Sequence, residues 1–297
     1  MSLQVTALPR LPAAERPRTY GSIVRAQLAR NRGAMAGLTL LAVAIGVALG
    51  APWLAPYDPT FQDLLHPLQP PSRAHPFGTD EVGRDVLSRV IYGSRLSLSV
   101  GLISVGIGGT AGVTLGLVSG FYGGWLDDVI LRIMDLLLAF PGILLALAIV
   151  AVLGPGLYNV MLAVGIAATP SFTRVTRGQT LAIRAMDYVT GARAIGCTSV
   201  RIMWRYILPN VLPSVIVLAT LGLAWAILAA SGLSFLGLGA QPPTPEWGAM
   251  LSFGRAYLRQ AWWITTFPGL AIMVTVLGMN MLGDGLRDAL DPKVPRS

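Results

Sequence analysis

Six stretches of the chain are free, or nearly free, of charge over about the length a helix needs to cross hydrocarbon, roughly 17 to 25 residues for 30 Å. They run from Gly33 to Tyr57, Leu96 to Leu126, Val129 to Leu153, Leu157 to Phe172, Val211 to Leu238 and Ala261 to Leu282. The third carries Arg132 and Asp135 near its start; the fourth is short and contains Pro170. The pattern predicts an all-α, polytopic membrane protein with six transmembrane helices. Pro141 and Pro268 fall inside the third and sixth runs and predict kinks, which neighbouring helices can tolerate.

Finer periodicities sit on this frame. Glycines recur at 108, 112, 116, 120 and 124, a four-residue ladder that exposes backbone along one side of a helix. Such a face lets a second helix approach closely, either as static packing or as a surface that slides. Arg132 and Asp135 lie three apart on one helical face, which predicts a structural ion pair; the alternative is a proton-coupling role for Asp135. In residues 84–92, Val86, Leu87, Val90 and Ile91 occupy one flank and Arg84, Ser88 and Arg89 the other, the pattern of an amphipathic helix lying on the membrane.

Charge then sets the orientation, because basic loops stay in the cytoplasm. Residues 1–34, 173–210 and the tail after Asp284 carry fifteen Lys and Arg, against six in 58–95 and 239–260. Both termini are therefore expected in the cytoplasm. The apolar run after the N-terminal arm is longer than a signal peptide's 7 to 15 residues, so it reads as a retained first helix. The expected organisation is a cytoplasmic arm (1–34), a first transmembrane helix (35–57), an extracytoplasmic loop (58–95), a transmembrane domain (96–285) and a cytoplasmic tail (286–297).

Composition agrees: 297 residues, 54% hydrophobic and only 12% charged, exclude an ordinary soluble domain. The net charge of +8 lies between apolar spans rather than on one face with stacking aromatics, so it points to topology and membrane lipid and not to nucleic acid. One cysteine, Cys197, and two histidines, His66 and His75, exclude an intrachain disulfide and give no metal-ligand spacing. An intramembrane enzyme would need a nucleophile or metal constellation that these residues do not supply.

The segment 182–209 is the exception to the apolar rule. Gly196 should end one short helix in the left-handed conformation, with Thr198 or Ser199 capping the next. Gly191, Ala192 and Ala194 give the first helix a thin surface around which a partner's side chains can close. On the second, Arg201 and Arg205 share one face and Ile202 and Tyr206 another. A plain basic loop held by lipid headgroups would explain the arginines but not the small residues.

The stretch "VTGARAIG" with "YILPN" after it resembles the cytoplasmic EAA loop in the membrane subunits of binding-protein-dependent ABC importers. "HPFGTDEVGRDVLSRVIYGSRLSLSVG" (75–101), "WLDDVILRIMDLLLAFPGILLAL" (125–147) and "LSFLGLGAQPPTPEWGAML" (233–251) are similar to the C-type permeases of the dipeptide, oligopeptide and nickel systems. The resemblance implies a type I ABC importer permease fold in a bacterial or archaeal cell membrane, and a coupling helix made of Thr190, Gly191, Ala192, Arg193, Ala194, Gly196, Cys197, Thr198 and Arg201. It implies a homologous B-type permease subunit, two ATPase subunits holding ATP and Mg, and an extracytoplasmic solute-binding protein touching Asp80, Arg84, Pro245, Glu246 and Trp247. Thr190 stands where the family has a glutamate, and Tyr206 where a histidine is common. A P-loop needs a lysine after its glycines, and the only lysine, Lys293, follows Pro292, so no cofactor is expected on this chain. An ion-coupled secondary transporter built around Asp135 is the alternative; it would show inverted repeats, and no internal repeat is present.

Overall fold

The computed structural model describes residues 26–290, which contain helices and loops but no β-strand. The N-terminal arm up to residue 25 and the tail from residue 291, with Lys293, lie outside the described residues. Helix α1 (Arg32–Leu54) starts where the Asn31 side chain accepts the Ala34 N–H. Helix α2 spans Val86–Tyr122, and α3 (Gly124–Leu138) and α4 (Gly142–Leu153) follow. Next come α5 (Leu157–Arg184), α6 (Asp187–Ala194) and α7 (Ser199–Ile202), which runs through a π turn at Met203–Ile207 into α8 (Leu208–Phe235). The last two are α9 (Trp247–Gly254) and α10 (Trp263–Leu290).

Four of these, α1, α2, α10 and the run from α7 to α8, are long and apolar enough to cross a membrane, and the pair α3 and α4 makes a fifth if counted together. That pair is bent by 91° at the predicted break, where Pro141 lacks the N–H to continue α3. At Pro268, by contrast, α10 is unbroken. The fourth expected span continues twelve residues beyond Phe172 to Arg184 with Pro170 inside. Its hydroxyls bond backwards along the helix, Thr169 to the Gly165 carbonyl at 3.0 Å and Thr173 to the Thr169 carbonyl at 2.9 Å. The amphipathic surface helix expected at 84–92 is not separate. Val86 opens α2 itself, a 37-residue helix about 55 Å long.

The glycine ladder is the seam between α2 and α5. A Cβ placed on Gly108 would lie 2.6 Å from the Gly165 carbonyl oxygen, on Gly112 2.7 Å from that of Thr169, on Gly116 2.6 Å from that of Thr173, and on Gly120 2.9 Å from that of Arg177. Both numberings rise together, so α2 and α5 run parallel, and α3 with α4 must carry the chain back between them. Gly124, the expected fifth rung, sits instead at the start of α3 with φ +61° and open space around it. Beside the seam, Phe172, Val160, Val164 and Leu233 fill a core shared by α2, α4, α5 and α8.

Residues 58–85 and 239–262 close one end of the bundle as a cap built around buried charge. Asp80 accepts from Arg84 Nε at 2.6 Å and from the backbone N–H of Val82 and Arg84, while Arg89 Nη1 donates to the carbonyls of Pro59 and Pro243 at 3.0 and 3.3 Å. Trp247 lies across Gly93 and donates its indole N–H to the Val90 carbonyl at 3.0 Å. Glu246 caps α9, accepting from Gly248 N at 2.9 Å and Ala249 N at 2.8 Å. Burial pushes the Glu246 carboxyl above its ordinary value, against the pull of those backbone bonds.

Two outcomes follow. Gly112→Val should force α2 from α5 and cost about 1–3 kcal/mol of stability, read as a lower thermal midpoint in detergent. A carboxyl raised on folding adds stability that is complete below its unfolded value and is lost as pH rises through the folded one. The wild-type midpoint should therefore fall as pH climbs above 4.5 toward neutrality, and Glu246→Gln should flatten that slope.

Candidate functional site

At the end opposite the cap, α6 and α7 fold back against the bundle. Both helix boundaries are local chemistry. Asp187 lies in the first turn of α6 and Arg193 in its last, each favourable to the helix dipole. Gly196, at φ +83°, closes a Schellman motif: its N–H bonds the Arg193 carbonyl at 2.9 Å, and the Cys197 N–H bonds that of Ala192 at 3.0 Å. The Thr198 side chain then accepts the Arg201 N–H at 3.4 Å and caps α7, as expected.

The segment is held from inside by a core of its own. Val189 and Ala192 of α6, Ile202 of α7, and Met203 and Ile207 of the π turn pack on Leu117 and Phe121 at the end of α2 and on Ile183 of α5. Arg184 Nη1 donates to the Phe121 and Gly120 carbonyls at 2.6 and 3.2 Å, satisfying the orphan end of α2. The Arg193 guanidinium stands 5.2 Å from the centre of the Phe121 ring. Thus α6 is seated directly on the last turn of α2.

Outward, the segment offers Thr190, Gly191, Arg193, Ala194, Gly196, Thr198 and Arg201, with Cys197 half-buried behind them. Ala192 is a correction: it is 4% exposed and faces the core, so the thin surface consists of Gly191, Ala194 and Gly196 without it. No atom lies within 4 Å of a Cβ added at Gly191 or Gly196. Exposed apolar side chains that sequence reasoning missed surround this patch: Tyr188, Ile195, Val200 and Trp204. Their signal was present, since apolar residues in a basic segment that do not follow the buried positions must point outward.

The expected Arg132–Asp135 pair does not form. Asp135 bonds Arg174 Nη2 of α5 at 2.6 Å, both side chains being more than half exposed, and Arg132 makes no ion pair among the described residues. A better-buried pair lies one turn further along α5, toward Arg184, where Arg177 holds Asp127 through two bonds of 2.6 Å and the Ser119 hydroxyl also bonds Asp127. A partner across the interface wins because α3 lies along α5, whose arginines face its acids. The complementarity of acids at 127, 128 and 135 with arginines at 174 and 177 was the legible sign.

At the capped end, the side chains expected to meet a binding protein are turned inward. Asp80, Arg84, Pro245, Glu246 and Trp247 are all buried and build the cap. In the 239–247 loop the exposed residues are Gln241, Pro242 and Pro243, and the 58–85 segment exposes Phe61, Leu64 and Leu65 beside others.

Two family models match the chain. One, described as the binding-protein-dependent transport system inner membrane component, covers residues 112–296; the other, the N-terminal TM domain of oligopeptide transport permease C, covers residues 19–71. A di/tripeptide transport system permease protein of Pseudomonas aeruginosa is 46% identical over 98% of this chain and 99% of its own length. A dipeptide transport system permease protein of Alkalihalophilus pseudofirmus is 49% identical over 90% of this chain and 88% of its own. A glutathione transport system permease protein of Pectobacterium atrosepticum is 48% identical over 87% of this chain and 86% of its own. Among solved structures, the inward-facing MetNI methionine ABC transporter shares the fold, with a TM-score of 0.55 at 19% identity over 68% of this chain and 96% of that one. With a parallel α2–α5 seam, a cap on one end and a small-residue knob on the other, the chain belongs to the family of binding-protein-dependent transport system inner membrane components, as a C-type permease of peptide ABC importers.

Proposed function

We propose that this chain forms half of the translocation pore of an ATP-driven importer of short peptides, pairing with a homologous B-type permease and receiving force from two ATPase subunits through α6. The observation that carries this is the seating of α6: a small-residue knob, closed by the Gly196 motif, rests on the final turn of α2 through Phe121, Val189 and Ala192. Push on α6 and α2 must follow.

The excess of arginine at this end supports a cytoplasmic location for it and for both termini, with the cap outside. ATP and Mg then belong to the partners, since the only lysine cannot complete a P-loop. Short peptides are the favoured cargo because the relatives quoted above carry di- and tripeptide, dipeptide and glutathione in their names. A solute-binding protein would meet exposed cap residues such as Gln241, Pro242 and Pro243, or Leu64 and Leu65, rather than the buried residues beneath them. ATP-driven closure of the ATPases would draw the α6 knobs of the two permeases together and rotate the bundles from inward-facing to outward-facing. Asp127 and Asp135, bonded to Arg177 and Arg174, serve in this scheme as ties between α3 and α5.

Gly191→Trp tests the knob without disturbing the fold, because space around Gly191 is open. Co-purification of the ATPases and peptide uptake should both fall at least about tenfold, with the thermal midpoint unchanged. Full association and uptake in that variant would refute the assignment. Ala192→Trp, directed into the core, should instead lower the midpoint.

A further inference from the structure

Helix α1 does not pack evenly on α10. At its basic-end half the two helices touch backbone to backbone: a Cβ on Gly37 would fall 2.6 Å from the Gly278 carbonyl, and Ala34 is fully buried against Gly285. Near the cap, Ala48 and Ala51 are buried again. Toward the cap from Gly37, a gap lined by both helices opens between α1 and α10. Leu40, Leu41, Ala44 and Val47 are only half covered, and nothing lies within 4 Å of Gly46 on the outer side. The gap is a cavity of about 470 Å³ bounded by Val43 and Val47 of α1, by Leu270 and Val274 of α10, and roofed by Phe77 and Trp247 of the cap.

Its chemistry narrows what can fill it. Apart from Ser94 and Thr275 every polar atom at the wall is spent, since the Trp247 indole already donates to the Val90 carbonyl. Water in such a space lacks the two to four partners it needs. Left empty, the walls lose dispersion contacts on one side. Val43, Leu270 and Val274 on its rim are exposed and belong to two helices that are each apolar enough to cross a membrane, where the surrounding solvent is hydrocarbon. Its depth is set as well. Exposed aromatics, Trp53 in the last turn of α1, Tyr57 after it and Trp262 before α10, stand at the roofed end, where interfacial rings mark headgroup level. From Phe267, which stacks on Phe77 at 3.8 Å, to Val274 is roughly 10 Å of helix, against about 15 Å for one leaflet.

We infer that this crevice is a binding site for a phospholipid acyl chain, taken from the leaflet at the capped end, which completes the packing of α1 on α2 and α10. The site is independent of the coupling role of α6 and of the cargo. A second apolar helix is the competing occupant; a diazirine placed in the acyl chain separates the two.

The test uses cells expressing the full chain and supplied with a fatty acid that carries a mid-chain diazirine, irradiated before the protein is purified and its peptides mapped. Adducts should concentrate on Val43, Val47, Leu270 and Val274 over Leu49, which is exposed on the outer side of α1. Ala44→Phe with Ala271→Phe should lower the crevice adducts by about an order of magnitude while leaving those at Leu49 unchanged. In lipid-free detergent, added phospholipid should raise the thermal midpoint of the wild type and not of the filled variant. If the double variant does not fold, Ala44→Phe alone carries the same expectations at smaller size. Equal labelling of crevice and outer face, labelling indifferent to filling, or a protein cross-link from a photoreactive residue at Val47 to another chain would each overturn the inference.

Discussion

The contact on which the structure depends is the one between the glycine edge of α2 and the carbonyl edge of α5. Four glycines at one-turn intervals meet the carbonyls of residues 165, 169, 173 and 177. In lipid, helices gain nothing by hiding apolar surface from one another, so association rests on close fit and dispersion. A contact this intimate fixes the separation, the register and the relative direction of the two helices at once. Their parallel course obliges the chain to return through α3 and α4, and it leaves the polar tail of α5 alongside the acids of α3. The ion pairs Asp127–Arg177 and Asp135–Arg174 are consequences of that register rather than independent features.

The two ends of the bundle solve opposite problems. At the cap, a loop-rich layer must bury its polar backbone, and it does so around ionised groups that are nearly all paired: Asp80 with Arg84 and Arg89, Asp85 with the Ser88 amide and hydroxyl. At the other end, a short helix is held by a small apolar core so that its outer side stays free of bulk. Buried charge makes one end rigid; shallow hydrophobic seating makes the other presentable.

How much of this was legible depends on the range of the interaction. The turn at Gly196 and the cap at Thr198 were read correctly because each is settled within five residues. The ladder was read because its period is the helix's own, although Gly124 fell outside it once Tyr122 ended α2. Arg84 and Arg89 suggested a surface helix, since a charge count cannot see Asp80 folding back to neutralise them. The extension of α5 was hidden for the same reason: Arg174 and Arg177 look soluble until α3 supplies their partners. The buried side of α6 was undecidable, because eight residues make too few turns for periodicity to choose between Ala192 and Ala194.

The length of α2 has a further consequence. It runs 37 residues without a proline, its first turns clasped by Trp247 and, through Arg89, by the carbonyls of Pro59 and Pro243, and its last turn by Arg184 and the seat of α6. Four of its glycines, at 108, 112, 116 and 120, are held against the backbone of α5. In the proposed cycle such a beam, bearing on α5 between Gly108 and Gly120, would pivot there, so that a sideways step at Tyr122 would reappear at Val86 with the opposite sense. Closing on one face of the layer and opening on the other would then need no signal passed from residue to residue; they would be a single movement of one body seen from its two ends.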